Sequence, residues 1–474
     1  MTPLLFSALR RGILLAFLVL IGRTFLVEGF LTPVIIGGAS MMPTFRGPHR
    51  VISCAQCAHR FHCAVTGPRR IAHATCPECD FAGNEWRASP PARGERILID
   101  RTAFLFRPPR RWETVAYIPQ KEGRKQVIKR ILGLPGETVR FHHGDLLIDG
   151  QIARKPLEIQ REIIFPVEGG GWDALENGLS AKSALVFPPP GVENLHWWGF
   201  RCRRTIPTSP PFWETSPAAY AGGKPSGRDA SAKETNSDES PPVILESGVT
   251  NRRSSNQMWP SRPRQIHPVR DLMLRFDLPH QREAPVWVLA TDGEDVFALH
   301  FGEHGNTVKL ATKDFSEVKK LPEASSGVFK VEMSLVDRRF LVAIDGRAVW
   351  KRDLPLLKEE AVVPMPLAVA TTKKDFPVEQ MEVFRDCYYG PGVESEGPQP
   401  EKKCWKLGKN RYFLVGDNPS ISRDSRHEIP TPGERASRLV GKPVPFSRFI
   451  SSGRPSRLPK NGKKSKTKKD CTVR

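Results

Sequence analysis

"KQVIKRILGLPGETVRFHHGDLLIDGQ", residues 125–151, decides how this chain is read. Short β-branched runs are broken by Pro-Gly, by Gly-Asp and by Asp-Gly, which is the punctuation of strands and tight turns. Upstream, "GERILIDRTAFLFRPPRRWETVAYIP" at 94–119 has the same texture. Together they predict an all-β region over 93–160.

At 474 residues the chain exceeds one ordinary core and should divide into several domains. Its formal charge of +21 is uneven. Lysines crowd "GKKSKTKKD" in a basic tail at 451–474, and arginines crowd "RRSSNQMWPSRPRQ" at 252–265. Such blocks read first as solvated chain, then as contacts for anionic lipid. No aromatic stacking motif accompanies them, so nucleic acid is not an expected partner.

The N-terminus, "MTPLLFSALRRGILLAFLVLIGRTFLVEGFLTPVIIGG", contains an apolar run from Gly12 to Gly22. Alone it is too short for a bilayer; extended through "TFLVEGFL" it reaches sufficient length. A single transmembrane anchor is therefore expected over 1–31, with Arg10 and Arg11 holding the N-terminus on the cytoplasmic side. A cleaved secretory signal is the competing reading.

Five of nine cysteines fall between Cys54 and Cys79. Two C-x-x-C pairs, Cys54/Cys57 and Cys76/Cys79, have the spacing of a zinc ribbon. Residues 48–92 are thus expected to be a small insert holding a structural zinc, with disulfides as the alternative outside the cytoplasm. His59, His62, His73 and Cys63 are substitute ligands. Four thiolates leave no open coordination position, so no cofactor for catalysis is expected here.

Residues 161–265 are expected to be an insertion that is largely flexible linker, because from about Pro207 to Gln265 the composition changes to Pro, Ser, Gly and charge. Period-two alternation follows. Leu272, Leu274, Phe276 and Leu278 share one strand face, as do Phe329, Val331, Met333 and Leu335, and then Phe340, Val342 and Ile344 before a turn at Asp345-Gly346. An antiparallel β-sandwich is expected over 266–395. Its rhythm, "FLVAIDGRAVW" above all, resembles concanavalin-like modules.

Three separated stretches remain: "ASMMPTF" at 39–45, "VIKRILGLPGE" at 127–137 and "FLVGDNPSISRDSR" at 413–426. Taken singly, they offer a loop serine, a strand lysine and a turn. In this order after an apolar N-terminus they resemble the boxes of bacterial type I signal peptidases, membrane-bound Ser/Lys proteases that remove signal peptides from exported proteins. S-M-x-P-T, K-R-x-x-G-L-P-G and G-D-N-x-x-x-S-x-D-S-R are all complete. The resemblance implies a mainly β catalytic fold assembled from 32–47, 93–160 and 405–450, interrupted by both inserts. It makes Ser40 the nucleophile, Lys129 the general base and Ser422 the holder of the lysine amine. Arg130, Asp417, Asp424 and Arg426 would brace the site. The oxyanion would be met by the Ser40 N–H; some members add a serine hydroxyl two residues earlier, where this chain has Gly38. Ile36 and Ile128 would line shallow pockets for small side chains, implying cleavage after A-x-A-like sequences. Exported preproteins, membrane lipid and the translocation machinery are the implied partners. The implied place is the bacterial inner membrane, with the catalytic domain outside.

Physical chemistry sets the terms for such a pair. A serine hydroxyl needs a neighbouring base, and a lysine serves only when neutral, although its ordinary pKa is about 10.4. A fall of about 2 to 3 units corresponds to roughly 3 to 4 kcal/mol, within reach of burial. Val127, Ile128, Ile131 and Leu132 surround Lys129 with the required apolar character. A carboxylate beside the amine would oppose this, so Asp424 should engage Arg426. Two other readings compete: a membrane-anchored binding protein with a protease remnant as scaffold, and a self-cleaving Ser/Lys repressor-type protease.

Overall fold

In the computed structural model the described residues are 3–65, 73–119, 125–175, 194–206, 243–247, 267–390 and 404–445, with short breaks within several of these spans. The basic tail, the arginine-rich stretch and most of the expected linker lie outside them.

A seven-stranded sheet carries the catalytic candidates. Its strands run in the spatial order Leu31–Ile35, Arg96–Asp100, Leu439–Pro445, Thr114–Tyr117, Val127–Gly133, Arg411–Val415 and Glu434–Arg435. The strand Val127–Gly133 is buried from Lys129 onward on both faces, so Lys129 and Arg130 at its centre are enclosed by apolar neighbours. A four-stranded sheet, Gln151–Ile152, Asp145–Ile148, Thr138–His142 and Cys404–Lys406, stands beside it. Between the two lies a core of Leu132, Val139, Phe141, Trp405, Phe413 and Val415.

Residues 49–64 and 73–85 form two short hairpins, His49–Ser53 with Arg60–Ala64 and His73–Ala74 with Asn84–Glu85. Their common core takes in Ile52, Cys54, Phe61, Cys63 and Cys76 together with Ala39 and Met42. The loop bearing Ser40 is therefore packed into the cysteine module.

Two further sheets, six- and eight-stranded, enclose one large core. Leu272, Leu274, Phe276 and Leu278 point into it, as do Phe329, Val331, Met333, Leu335, Phe340, Val342 and Ile344. Asp345 and Gly346 both have positive φ, 48° and 81°, and turn the chain tightly after Ile344. The eight-stranded sheet also recruits Gly170–Leu175 and His196–Ile206, from before the expected start of the sandwich. Phe165–Pro166 joins the six-stranded one.

The expected transmembrane anchor is not supported. Among the described residues no helix is long and apolar enough to cross a membrane. An α-helix covers Pro3–Gly22, but Arg10 and Arg11 fall inside it. The apolar run beyond them rises only about 16 Å at 1.5 Å per residue, against a hydrocarbon layer of about 30 Å. After Gly22 the winding changes to a π-helical segment, Arg23–Phe30, that begins with a charge. Summing apolar residues through that change of winding overestimates the span.

Candidate active site

Lys129 lies on Val127–Gly133, paired through Val115 to one neighbour strand and followed by Arg130, which pairs with Val415 on the other. It is 2% exposed, and its Nζ donates to Ser422 Oγ at 2.8 Å. Ser422 arrives on the segment after Arg411–Val415, and its N–H donates to the Asn418 carbonyl at 3.1 Å.

Ser40 comes from the opposite side, on a turn leaving the edge strand Leu31–Ile35. Its carbonyl accepts from Asn418 N–H at 3.0 Å, and the Asn418 side-chain amide donates to the Ala39 carbonyl at 3.3 Å. Gly416 stands between the two serines: a Cβ there would lie 2.3 Å from the Ser40 carbonyl oxygen and 2.4 Å from Ser422 Oγ. Only glycine admits so close a meeting of the Ser40 loop and the lysine's partner. Met41 and Met42, 3% and 0% exposed, turn inward beneath Ser40.

Two ion pairs brace this meeting. Arg130 clamps Asp417 bidentately, Nε to Oδ1 at 2.8 Å and Nη2 to Oδ2 at 2.7 Å, while Nη1 donates to the Trp112 carbonyl at 2.7 Å. The Thr44 hydroxyl also donates to Asp417, so this carboxylate joins the serine loop to the lysine strand. Asp424 takes Arg426 in the same forked fashion, at 2.8 and 2.9 Å, and accepts from Gly416 N–H at 3.2 Å. Burial by itself would raise the Asp424 carboxyl. The Arg426 guanidinium, helped by His427, overrides this and holds it far below the usual carboxylate range. Arg426 thus takes both carboxylate oxygens, while the hydrogen bond described for the lysine amine runs to a neutral hydroxyl.

Ile36 is buried in a cluster with Met41, Phe45, Ile97 and Ile99, and the half-buried Ile128 packs against the same cluster. Gly38 is exposed, and a Cβ on it would meet nothing within 4 Å. Asn418 and Thr44 were quoted in the motifs without a role; only their long-range contacts expose one. The signal for Asn418 was its place directly after the Gly-Asp turn.

In the cysteine module, Cys54 and Cys79 sulfurs are 3.5 Å apart and those of Cys57 and Cys76 3.7 Å apart. All four come together within 4.8 Å, and among the described residues no histidine joins them. Cys63 is buried elsewhere in the module, where desolvation pushes its thiol up to about 12. Asn84 fastens the two halves: its side chain accepts from Ala55 N–H and donates to the Ala74 and Phe81 carbonyls.

Residues 6–165 match the family described as signal peptidase, peptidase S26. Over 121 residues the chain is 37% identical to signal peptidase I of Leptolyngbya laminosa, covering 24% of this chain and 56% of that one. Over 63 residues it is 33% identical to a probable signal peptidase I-2 of Synechocystis sp., covering 12% and 29% respectively. The chain thus spans about half, or less, of the length of these curated relatives. Ser40 and Lys129 fall within the family match; Asp417 through Arg426 fall beyond it. Among solved structures, the carbohydrate-binding module CBM66 from Bacillus subtilis aligns at 12% identity and a TM-score of 0.16, over 24% of this chain and 72% of that one. Sheep galectin-11 aligns at 9% and 0.17, over 24% and 85%. At these scores neither likeness bears on function.

Proposed function

We propose that this protein is a serine endopeptidase of the signal peptidase I type, cleaving N-terminal signal peptides from exported preproteins with Ser40 as nucleophile and Lys129 as general base. The observation that carries this reading is the buried Lys129 amine, bonded to Ser422 Oγ beside the glycine on which the Ser40 loop packs. The match of residues 6–165 to the signal peptidase family supports it and disfavours the scaffold reading.

In this mechanism Ser40 Oγ attacks the scissile carbonyl carbon while its proton passes to neutral Lys129 Nζ. The Ser40 N–H meets the oxyanion. Collapse breaks the peptide bond: Lys129 returns the proton to the departing amine, leaving the signal peptide as an ester on Ser40. Water, deprotonated by Lys129, then releases it. Ser422 holds the amine without adding charge, and the Arg130–Asp417 and Asp424–Arg426 pairs keep the two halves in register. Ile36 and Ile128 supply the apolar surface for small residues ahead of the cleaved bond.

The cysteine module we assign to a structural zinc held by Cys54, Cys57, Cys76 and Cys79. With Zn–S bonds of about 2.3 Å, sulfurs at the corners of a tetrahedron stand about 3.8 Å apart. The observed 3.5 and 3.7 Å suit that figure, whereas a disulfide requires about 2.05 Å. The ion would supply cohesion only, since four thiolates close its shell.

We infer that the active face works at a lipid surface. Side chains along Leu9–Ile21 are exposed, and Leu105 and Phe106, 65% and 95% exposed, project among Arg107, Arg110 and Arg111. Apolar tips ringed by arginine suit the headgroup boundary.

The deciding experiment is processing of a preprotein in detergent by wild type, Ser40→Ala and Lys129→Ala. Loss of cleavage in both variants is expected; equal processing by all three overturns the proposal.

A further inference from the structure

Four aspartates distant in sequence converge where the β-sandwich meets the catalytic half. Asp145 opens the strand Asp145–Ile148 after a tight turn, in which His143 and Gly144 have φ of 47° and 91°. Asp271 immediately precedes the strand Leu272–Pro279, and Asp386 immediately follows Glu382–Arg385. Those strands are neighbours, and Asp386 N–H donates to the Asp271 carbonyl at 2.9 Å. Asp337 sits in the hairpin turn after Val328–Val336, with φ of 51°. One oxygen each from Asp145, Asp271 and Asp337 come within 4.8 Å of one another.

Lys155 reaches the cluster from below. Its Nζ bonds Asp337 Oδ1 and lies 2.9 Å from Asp386 Oδ2, and its backbone N–H donates to Asp337 Oδ2 at 2.7 Å. Asp271 Oδ2 accepts from Asp337 N–H at 2.9 Å. Asp386 is only 3% exposed, yet its second oxygen, Oδ1, is buried with no hydrogen-bond partner. Asp386 lines a small cavity of about 20 Å³ together with His143, Asp145, Arg270, Asp271 and Tyr388. That is room for one ion or one water. A buried carboxylate oxygen left unbonded is costly, and four carboxylates outnumber the positive charges of Lys155 and Arg270.

We propose that Asp145, Asp271 and Asp386, which line this cavity, bind one hard divalent cation, calcium foremost, with Asp337 at its edge, and that the ion clamps the β-sandwich to the catalytic half. All donors are carboxylate oxygens, the set that selects calcium or magnesium over zinc or copper. Calcium tolerates irregular oxygen shells completed by water, whereas magnesium demands a near-ideal octahedron. The ion gives Asp386 Oδ1 its missing partner and offsets the excess negative charge. Both ends of the sandwich's principal segment, Asp271 and Asp386, and one hairpin of the catalytic half, Asp145, then share one ligand. The proposal is independent of the protease assignment.

The test uses the full chain, stripped with chelator and resupplied with one equivalent of zinc so that the cysteine site is constant. Calcium, magnesium and terbium are titrated separately, read by calorimetry, thermal midpoint and, for terbium, luminescence. Expected are one calcium equivalent per chain, an upward midpoint shift, and affinity at least tenfold weaker in Asp145→Asn and Asp271→Asn. The exposed-site control Asp277→Asn should bind as wild type. Should one aspartate variant fail to fold, the other, together with displacement of terbium by calcium in wild type, decides. Absence of both binding heat and midpoint shift in wild type overturns the proposal, as does undiminished affinity in the aspartate variants.

Discussion

The backbone N–H of Asn418 donates to the carbonyl of Ser40 at 3.0 Å, joining a turn near the start of the chain to one near its end. The Asn418 side chain repeats the link at the Ala39 carbonyl. Asn418→Ala removes the second bond and keeps the first. A lost hydrogen bond of about 1 kcal/mol that also lets Ser40, the proposed nucleophile, drift should lower kcat by roughly 10- to 100-fold. Steady-state kinetics on a preprotein should show this with KM little changed; an unaltered kcat would mean that the backbone bond alone positions Ser40.

Gly38 has open space where a side chain would grow. Gly38→Ser should therefore fold normally and place a hydroxyl two residues before Ser40. An added oxyanion donor is worth up to about 10²-fold, and a flexible hydroxyl should deliver part of that, roughly 3- to 10-fold in kcat. Gly38→Ala is the control and should show no gain. Equal rates for the two variants would mean that the hydroxyl does not reach the oxyanion.

Ala39 and Met42 share a core with Cys54 and Cys76. Removing the proposed zinc from the cysteine module should then slow cleavage at least tenfold even though the proposed mechanism brings no cysteine to substrate. Zinc assayed alongside kcat should fall and recover together with it. Met42→Ala, which hollows the same core, should destabilise by about 2 to 5 kcal/mol.

Glu113 is salt-bridged to Arg107 at 2.7 Å and to Lys442 at 3.2 Å. Burial opposes its charge, but Arg107, the Arg110 N–H and Lys442 together bring its pKa down to about 2. A carboxyl depressed in the folded state contributes stability above its unfolded pKa, and that contribution is lost as pH falls through the folded value. The stability gap between wild type and Glu113→Gln should therefore be flat above about pH 4.5, then close toward pH 2. Denaturant melts at stepped pH would reveal a constant gap if the pair contributes nothing.

Leu105 and Phe106 are strongly exposed. Replacing both with serine should weaken binding to anionic vesicles severalfold in a flotation assay and leave cleavage of a short soluble peptide unchanged. A matching loss of peptide cleavage would place the two residues in substrate binding instead.

Much of this architecture is written locally. Alternation in "DLMLRFDL" and "VFKVEMSL" assigns inward faces because a strand's period of two is a property of the backbone. The cysteine spacing is equally local, since each C-x-x-C makes its own knuckle. Asn418 and Thr44 gave little sign because their partners, Ala39 and Asp417, lie far away in sequence or across a sheet. The N-terminal segment differs for the opposite reason: its apolar content adds up along the chain, while spanning depends on an unbroken helix with little charge.

By itself, the sequence determined the strand character, the two C-x-x-C pairs and the residue types able to supply a nucleophile and a base. Each follows from spacing or side-chain chemistry within a few residues. Only the tertiary structure decided that Ser40, Gly416, Ser422 and Lys129 share one place, and that Asp145, Asp271, Asp337 and Asp386 converge around Lys155. Strand pairing and the return of the chain from the β-sandwich set those meetings, and no local pattern encodes which distant strands become neighbours.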